Sequence, residues 1–133
     1  MVAARAKKQD LENAQKAEKQ RIKKLKEDLN KAKQDLQDKS SALNNAQGLD
    51  KKTEALKDLN DAITEADKLI SQVTEKDKLT NAKTEWEDFN SKLTEAKQLS
   101  RDKQNEINAK KQDLDNKINA IKRKVETESE TAD

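Results

Sequence analysis

Large apolar residues recur along the chain at alternating steps of three and four, in three stretches that polar segments separate. In the first stretch the steps begin at Ile22 and continue to Leu43. This spacing places side chains on one side of an α-helix, as in the seam of a coiled coil. We therefore predict a first helix over residues 3–46, whose end before Ile22 has a thin seam and is expected to fray. Its predicted core positions are Leu11, Ile22, Leu25, Leu29, Ala32, Leu36 and Leu43.

The segment around Gly48 predicts the first break between helices. Gly48 is the only glycine of the chain, and glycine readily adopts the left-handed conformation that closes a helix. Asp50 can cap the following helix through its carboxylate. The alternative is a glycine tolerated inside one long helix, at about 1 kcal/mol. Cap-forming residues flank Gly48 on both sides, so the pattern favours a turn.

The second stretch predicts a helix over residues 51–73 with a wider apolar face. Ala55, Ala62 and Leu69 widen its seam on one side. A face of this width suits a helix with two neighbours, which favours a three-helix bundle over a two-stranded coiled coil. The seam itself consists of Leu56, Leu59, Ile63, Ala66, Ile70 and Val73.

Beyond Val73 the apolar positions restart with a displacement of two residues. Coiled coils absorb discontinuities of three or four residues instead. We therefore predict a turn over residues 74–78, with Thr74 or Asp77 capping the next helix. The restarted core positions are Leu79, Ala82, Trp86, Phe89, Leu93 and Ala96.

The third stretch predicts a helix over residues 78–125. Its seam turns polar around Ser100, where a break would divide it into two helices. The apolar positions resume at Ile107, Leu114, Ile118, Ile121 and Val125. Residues 86–99 repeat the pattern of residues 56–69 at an offset of 30, and each copy is typical of an amphipathic helix segment.

These patterns predict an all-α fold, an elongated antiparallel bundle of three long helices with coiled-coil-like seams, or four helices if the third breaks. At 1.5 Å per residue the first and third helices would each span roughly 65–70 Å, and the second about 35 Å. The ends of the two long helices should therefore project as single helices with half-used seams.

Composition and charge agree with narrow seams rather than a thick core. Charged residues make up 42% of the 133 residues and hydrophobic residues 31%, with a net charge of +2. Residues 1–33 hold 11 basic and 5 acidic side chains, a net +6, and residues 50–99 hold 9 and 12, a net −3. Residues 100–125 hold 8 and 4, a net +4, and residues 127–133 form an acidic segment that we predict to be a disordered tail.

The sequence offers little for enzyme chemistry. It has no His, no Cys and no glycine-rich phosphate loop. Its carboxylates stand beside lysines at helical spacing, as in Glu54–Lys57 and Glu65–Lys68, which is typical of surface ion pairs. We predict no catalytic residue, no cofactor, no metal site and no small-molecule substrate.

A basic face on the first helix is the sharpest local signal for a binding site. It can bind the phosphates of a nucleic acid or lie on an anionic membrane. Glu18 and Glu27 interrupt it and no aromatic residue alternates with it, so the pattern favours a solvated face or one that contacts a partner helix. The face consists of Lys16, Lys19, Arg21, Lys23, Lys24 and Lys26.

Trp86 and Phe89 are the only aromatic residues. They lie one turn apart on the predicted seam of the third helix. The pattern favours a place in the core, and the alternative is a hydrophobic hot spot for a protein partner.

The sequence thus predicts a non-enzymatic structural or scaffolding module whose free seam ends recruit a protein partner or a second copy. The alternative is binding of a nucleic acid or an anionic membrane through the basic helix ends. The sequence contains no run of about 20 apolar residues, which a membrane-spanning helix needs. Met1–Lys8 lacks the apolar core of a signal peptide. We expect a soluble chain, and the sequence assigns no compartment.

Overall fold

A computed structural model describes residues 2–132 of the chain, with the side chains of residues 6–129. It contains helix α1 (Val2–Asn45), helix α2 (Leu49–Ile70), a π-helical segment (Asp77–Asn81) and helix α3 (Lys83–Ala132). The described residues contain no strand. The predicted all-α bundle of three long helices is therefore confirmed.

The core is a narrow seam that all three helices share. Leu29, Leu36, Leu59 and Phe89 are fully enclosed. Leucine, alanine and one phenylalanine supply most of it, because a seam between close helices leaves room for only one or two side chains per turn. The buried apolar residues are Leu25, Leu29, Leu36, Leu43, Leu56, Leu59, Ala62, Ala66, Val73, Ala82, Phe89, Leu93, Ala96 and Ile107.

Ion pairs between the helices fix their direction and relative level. Lys26 lies 3.9 Å from Glu85 and Lys33 lies 3.9 Å from Asp88, so α1 runs parallel to α3. Lys97 lies 3.0 Å from Asp67 at one end of α2, and Lys52 lies 3.1 Å from Glu106 at the other. Helix α2 therefore runs antiparallel to both neighbours.

The first turn lies at Gly48, as predicted. Gly48 has φ 89° and ψ 153° and precedes α2 as its N-cap residue. Its carbonyl accepts the first helical hydrogen bond from Lys52 at 3.0 Å. Asp50 does not cap the helix as predicted but lies in its first turn. A carboxylate there still favours the helix, because it faces the positive end of the helix dipole.

A turn follows α2, but it lies earlier than predicted. Helix α2 ends at Ile70 and the chain is helical again from residue 75, so most of the predicted turn over residues 74–78 is helix. Thr74 and Asp77 cap the restarting helix reciprocally. The Thr74 backbone N–H donates to Oδ2 of Asp77, and the Asp77 backbone N–H donates to Oγ1 of Thr74, both at 3.1 Å. This exchange satisfies two backbone donors that a helix start leaves without partners.

The register slip after Val73 is absorbed by the π-helical segment, which changes which residues face the core. The Ala82 backbone N–H donates to the carbonyl of Asp77 at 2.8 Å, a hydrogen bond across five residues. The core positions therefore step from Val73 to Asp77 and then to Ala82. Leu79, predicted as a core residue, falls on the outside of this wide turn and is 70% exposed.

Both long helices extend beyond the bundle as predicted. We call residues 2–20 the α1 arm and residues 108–132 the α3 arm. Every described side chain of both arms is exposed. Leu11, predicted in the core, is 60% exposed, because no other helix of the described residues extends alongside it.

Helix α3 is continuous through Ser100, so the bundle has three long helices and not four. Residues 127–132, predicted as a disordered tail, continue α3 as helix, and Asp133 lies outside the described residues. No Gly or Pro in this segment stops the helix, and the hydroxyl of Thr127 donates to the carbonyl of Arg123 at 2.9 Å. Among the described residues, no helix combines the length and apolarity needed to cross a membrane.

Candidate functional site

The α3 arm carries an exposed row of apolar side chains, which we call the α3 stripe. It consists of Leu114, Ile118, Ile121 and Val125, which are 41–62% exposed. Their spacing of four, three and four continues the seam that ends at buried Ile107. The stripe therefore has the spacing of a coiled-coil seam over two heptads, and no helix of the described residues covers it.

The relative level of the helices explains why the stripe is open. Lys52, in the first turn of α2, contacts Glu106, so the connection between α1 and α2 lies beside this part of α3. Helix α3 continues for another 25 residues past Ile107. The α1 arm cannot reach the stripe, because Lys26 lies beside Glu85 and the arm therefore projects from the opposite end.

Charged side chains flank the stripe with a bias towards positive charge. Lys117, Lys122 and Lys124 stand beside the apolar row, and Asp115 is the acidic residue among them. Lys117 pairs within the helix with Asp113 at 3.1 Å. A partner helix with acidic flanking residues would complement this surface.

A cluster of lysines around Glu106 marks the level at which α3 leaves the bundle. The Nζ atoms of Lys52, Lys103 and Lys110 lie 3.1, 3.2 and 3.3 Å from its carboxylate oxygens. These hydrogen bonds, from Lys52 above all, lower the pKa of Glu106 to about 2. The cluster joins the start of α2 to α3 and anchors the base of the α3 arm.

The basic face of α1 is divided between the surface and the bundle. Lys16, Lys19, Lys23 and Lys24 are exposed, and no described carboxylate lies within 4 Å of their ammonium groups. Lys26 approaches Glu85 at 3.9 Å. Arg21 is held within the chain by Glu18 and Asp77, so it does not belong to a free cationic surface.

Arg21 and Asp77 form the buried polar junction of the fold. The Arg21 Nη1 and Nη2 donate to Oδ2 and Oδ1 of Asp77 at 3.0 and 2.8 Å. The side chain of Asp77 has no exposed surface, whereas that of Arg21 is 40% exposed. Asn81 Nδ2 donates to Oδ1 at 2.8 Å, and the Thr74 N–H donates to Oδ2.

These hydrogen bonds, from Arg21 first, hold the pKa of Asp77 well below its usual range, although burial alone would raise it. The guanidinium of Arg21 in turn has its pKa raised by Asp77 and Glu18. Our sequence analysis identified Asp77 only as a possible cap and placed it outside the core. Its spacing from Val73 is the sequence signal that would place Asp77 in the core, because a step of four residues continues the seam.

The two aromatic residues lie inside the bundle to different degrees. Phe89 has no exposed surface and is part of the core. Trp86 is half-buried, its ring centroid lies 5.8 Å from that of Phe89, and the ammonium of Lys78 lies 4.7 Å above its ring. Phe89 is therefore closed to a partner, and only Trp86 presents part of a ring at the surface.

No protein-family model, curated protein or solved structure matches this chain.

Proposed function

We propose that this chain is a non-enzymatic structural or scaffolding module that acts through helix-mediated protein–protein interaction or self-assembly. The α3 stripe is the observation that supports it, because four large apolar side chains in heptad spacing stand exposed on a single helix. Such stripes mark interaction surfaces, and heptad anchors are the means by which helices recognise each other. The bundle and its two arms together measure roughly 110 Å from end to end, at 1.5 Å per residue.

The environment of Asp77 supports the non-enzymatic part of the proposal. Asp77 is the buried carboxylate of the described residues, and a shielded carboxylate is a usual starting point for acid–base chemistry. Four hydrogen bonds from its own chain occupy both of its oxygens. It therefore has a complete structural role in joining α1 to the turn before α3.

Binding of a designed helix tests the proposal. The probe is a fluorescent three-heptad peptide with Leu and Ile at its seam positions and Glu at the positions beside them. We expect it to bind the wild-type chain and to lose at least tenfold in affinity when Ile118→Asp and Ile121→Asp are combined. Fluorescence anisotropy measures both affinities.

The matched control is Asn116→Asp combined with Asn119→Asp. It adds the same two charges at the same spacing on the outer face of the arm. Equal binding to the wild type and the control, with weak binding to the stripe variant, supports the stripe as a helix-binding surface. A probe that binds none of the three proteins contradicts the proposed function.

A second candidate function is binding of a nucleic acid through the basic face of α1. The observation in its favour is the exposure of Lys16, Lys19, Lys23 and Lys24 without a carboxylate within 4 Å among the described residues. If all four contact phosphates, affinity for a DNA duplex should fall by about two orders of magnitude between 50 and 200 mM salt. Anisotropy of a labelled duplex at the two salt concentrations measures this, and absence of binding at 50 mM salt contradicts it.

A further inference from the structure

We infer that the α3 stripe binds the α3 stripe of a second copy of this chain, with the two arms antiparallel. The inference rests on the proposed function and names the partner. A second copy is favoured because the sequence of the arm is complementary to its own reverse direction. The complementarity includes the apolar row and the charges at both ends of it.

Every apolar side chain of the stripe finds a partner when the two antiparallel arms lie side by side with the midpoint of the contact between residues 119 and 120. Ile118 of each copy then lies beside Ile121 of the other. Leu114 of each copy lies beside Val125 of the other. The result is four successive apolar layers, each with one residue from an a position and one from a d position, as antiparallel coiled coils require.

Charges of opposite sign meet beyond and beside these layers in the same alignment. Lys111 and Glu128 occupy the next seam positions at the two ends of the stripe, so Lys111 of each copy faces Glu128 of the other. Asp115 of each copy flanks the seam opposite Lys122 of the other. The two-fold symmetry makes each of these contacts twice, which gives four ion pairs around four apolar layers.

A parallel alignment would place like charges together. Lys111 would face Lys111 and Glu128 would face Glu128 across the seam, and Lys117 would flank Lys122. The one favourable flanking contact would join Lys110 to Asp115, and Lys110 already pairs with Glu106 within its own helix at 3.3 Å. The antiparallel alignment has one kind of unfavourable contact, between Lys117 of one copy and Lys124 of the other, which the two-fold symmetry makes twice. It is weakened because Asp113 already neutralises Lys117 within its own helix at 3.1 Å. The charge pattern therefore selects the antiparallel direction.

The size of the interface indicates a reversible dimer. Residues 111–128 of each copy form the contact, a segment of about 27 Å. Two such segments lie near the lower limit of about 1,000 Å² of buried surface for a specific interface, so we expect a weak dimer that dissociates on dilution. The paired rods would measure roughly 180 Å from end to end, with a basic α1 arm at each tip.

Sedimentation velocity of the full chain from 2 to 500 μM tests the inference. We expect the wild type to pass from monomer to dimer, and small-angle scattering to show the maximum dimension rising from about 110 to about 180 Å. Ile118→Asp combined with Ile121→Asp should remain monomeric. Asn116→Asp combined with Asn119→Asp should dimerise like the wild type. Circular dichroism checks that both variants keep the bundle, since all four substituted positions are exposed on the arm.

A charge reversal tests the direction of the two helices. Lys111→Glu should weaken the dimer at least fivefold, because residue 111 would then face Glu128 of the other copy. Adding Glu128→Lys to the same chain should restore it, because opposite charges meet again. In a parallel dimer, residue 111 faces residue 111 and residue 128 faces residue 128. Like charges would then meet in the wild type and in both variants, so Lys111→Glu would not weaken the dimer and Glu128→Lys would not restore it.

Each further result decides between the alternatives. A wild-type chain that stays monomeric at 500 μM overturns the inference, and binding of the designed acidic helix would then leave the proposed function standing. A dimer that the two stripe substitutions do not affect overturns it as well. A monomeric chain that cosediments with phosphatidylglycerol vesicles through the stripe would assign this surface to an anionic membrane instead.

Discussion

Arg21 and Asp77 lie 56 residues apart in the sequence and share two parallel hydrogen bonds of 2.8 and 3.0 Å. The contact joins the point where α1 enters the bundle to the turn that starts α3. Asp77 also caps that turn together with Thr74. One buried carboxylate thus serves both the local restart of the helix and the long-range packing of α1.

Loss of the guanidinium should destabilise the bundle. Arg21→Met leaves the Asp77 carboxylate buried without a cation, and removing one partner of a buried pair costs about 3–5 kcal/mol. Because Asp77 keeps its hydrogen bonds to Thr74 and Asn81, we expect about 2–3 kcal/mol. Urea unfolding followed by circular dichroism at pH 7 measures it. Glu18→Gln is the control, since it breaks only the exposed pair and should cost less than about 1 kcal/mol.

The contribution of this junction should depend on pH. Arg21 lowers the pKa of Asp77 in the folded state, so the stabilisation is complete above the ordinary carboxyl pKa of about 4 and is lost as the pH falls below it. The difference in unfolding free energy between wild type and Arg21→Met should therefore be smaller at pH 2.5 than at pH 7. Both proteins are compared in the Glu18→Gln background, because Arg21 also lowers the pKa of Glu18. An equal difference at both pH values would contradict this role of Asp77.

The sign of the change in unfolding free energy on substitution of Gly48 distinguishes a turn from a continuous helix. Gly48 has φ 89° and ψ 153°, a region that other residues enter at about 1–3 kcal/mol. Gly48→Ala should destabilise the chain by this amount in thermal or urea unfolding. In an uninterrupted helix the same change would stabilise by about 1 kcal/mol. Gln47→Ala, at the exposed neighbouring position, should stay within about 0.5 kcal/mol of the wild type.

Phe89 and Leu79 provide a matched test of the register across the π-helical segment. Our sequence analysis placed both in the core, but Phe89 is fully buried and Leu79 is 70% exposed. Phe89→Ala should therefore cost about 3–5 kcal/mol of unfolding free energy, and Leu79→Ala no more than about 0.5 kcal/mol. Urea unfolding of both variants measures this. A loss above about 2 kcal/mol for Leu79→Ala would place residue 79 in the core and contradict the five-residue step.

Hydrogen exchange should divide each long helix into a protected and an unprotected part. Backbone amides of residues 25–43 lie in the packed bundle, whereas residues 6–20 and 108–129 are exposed single helices. Single helices open readily in water. At low micromolar concentration we expect fast exchange in both arms and slow exchange in the bundle. Mass spectrometry of peptic peptides measures this, and strong protection of the α1 arm would show that another surface covers it.

Much of the fold follows from the sequence because helical spacing is a local property. The steps of three and four predicted the three helices, and Gly48 predicted the first turn. The two-residue slip predicted the second turn, and the unequal helix lengths predicted the projecting arms. The sequence also predicts a seam at the residues of the α3 stripe, although the basic face of α1 is the sharper local signal for a binding site.

The sequence by itself determined where helices form and which side of each is apolar, because those features depend on residues three and four positions apart. Only the tertiary structure decided that Asp77 enters the core, because a buried carboxylate requires Arg21, which lies on another helix. It also decided that Leu79 faces outwards, because the π-helical turn changes the register. Finally, it decided the level at which the open part of the α3 seam begins, because α1 turns back into α2 beside Glu106, while α3 continues for another 25 residues past Ile107.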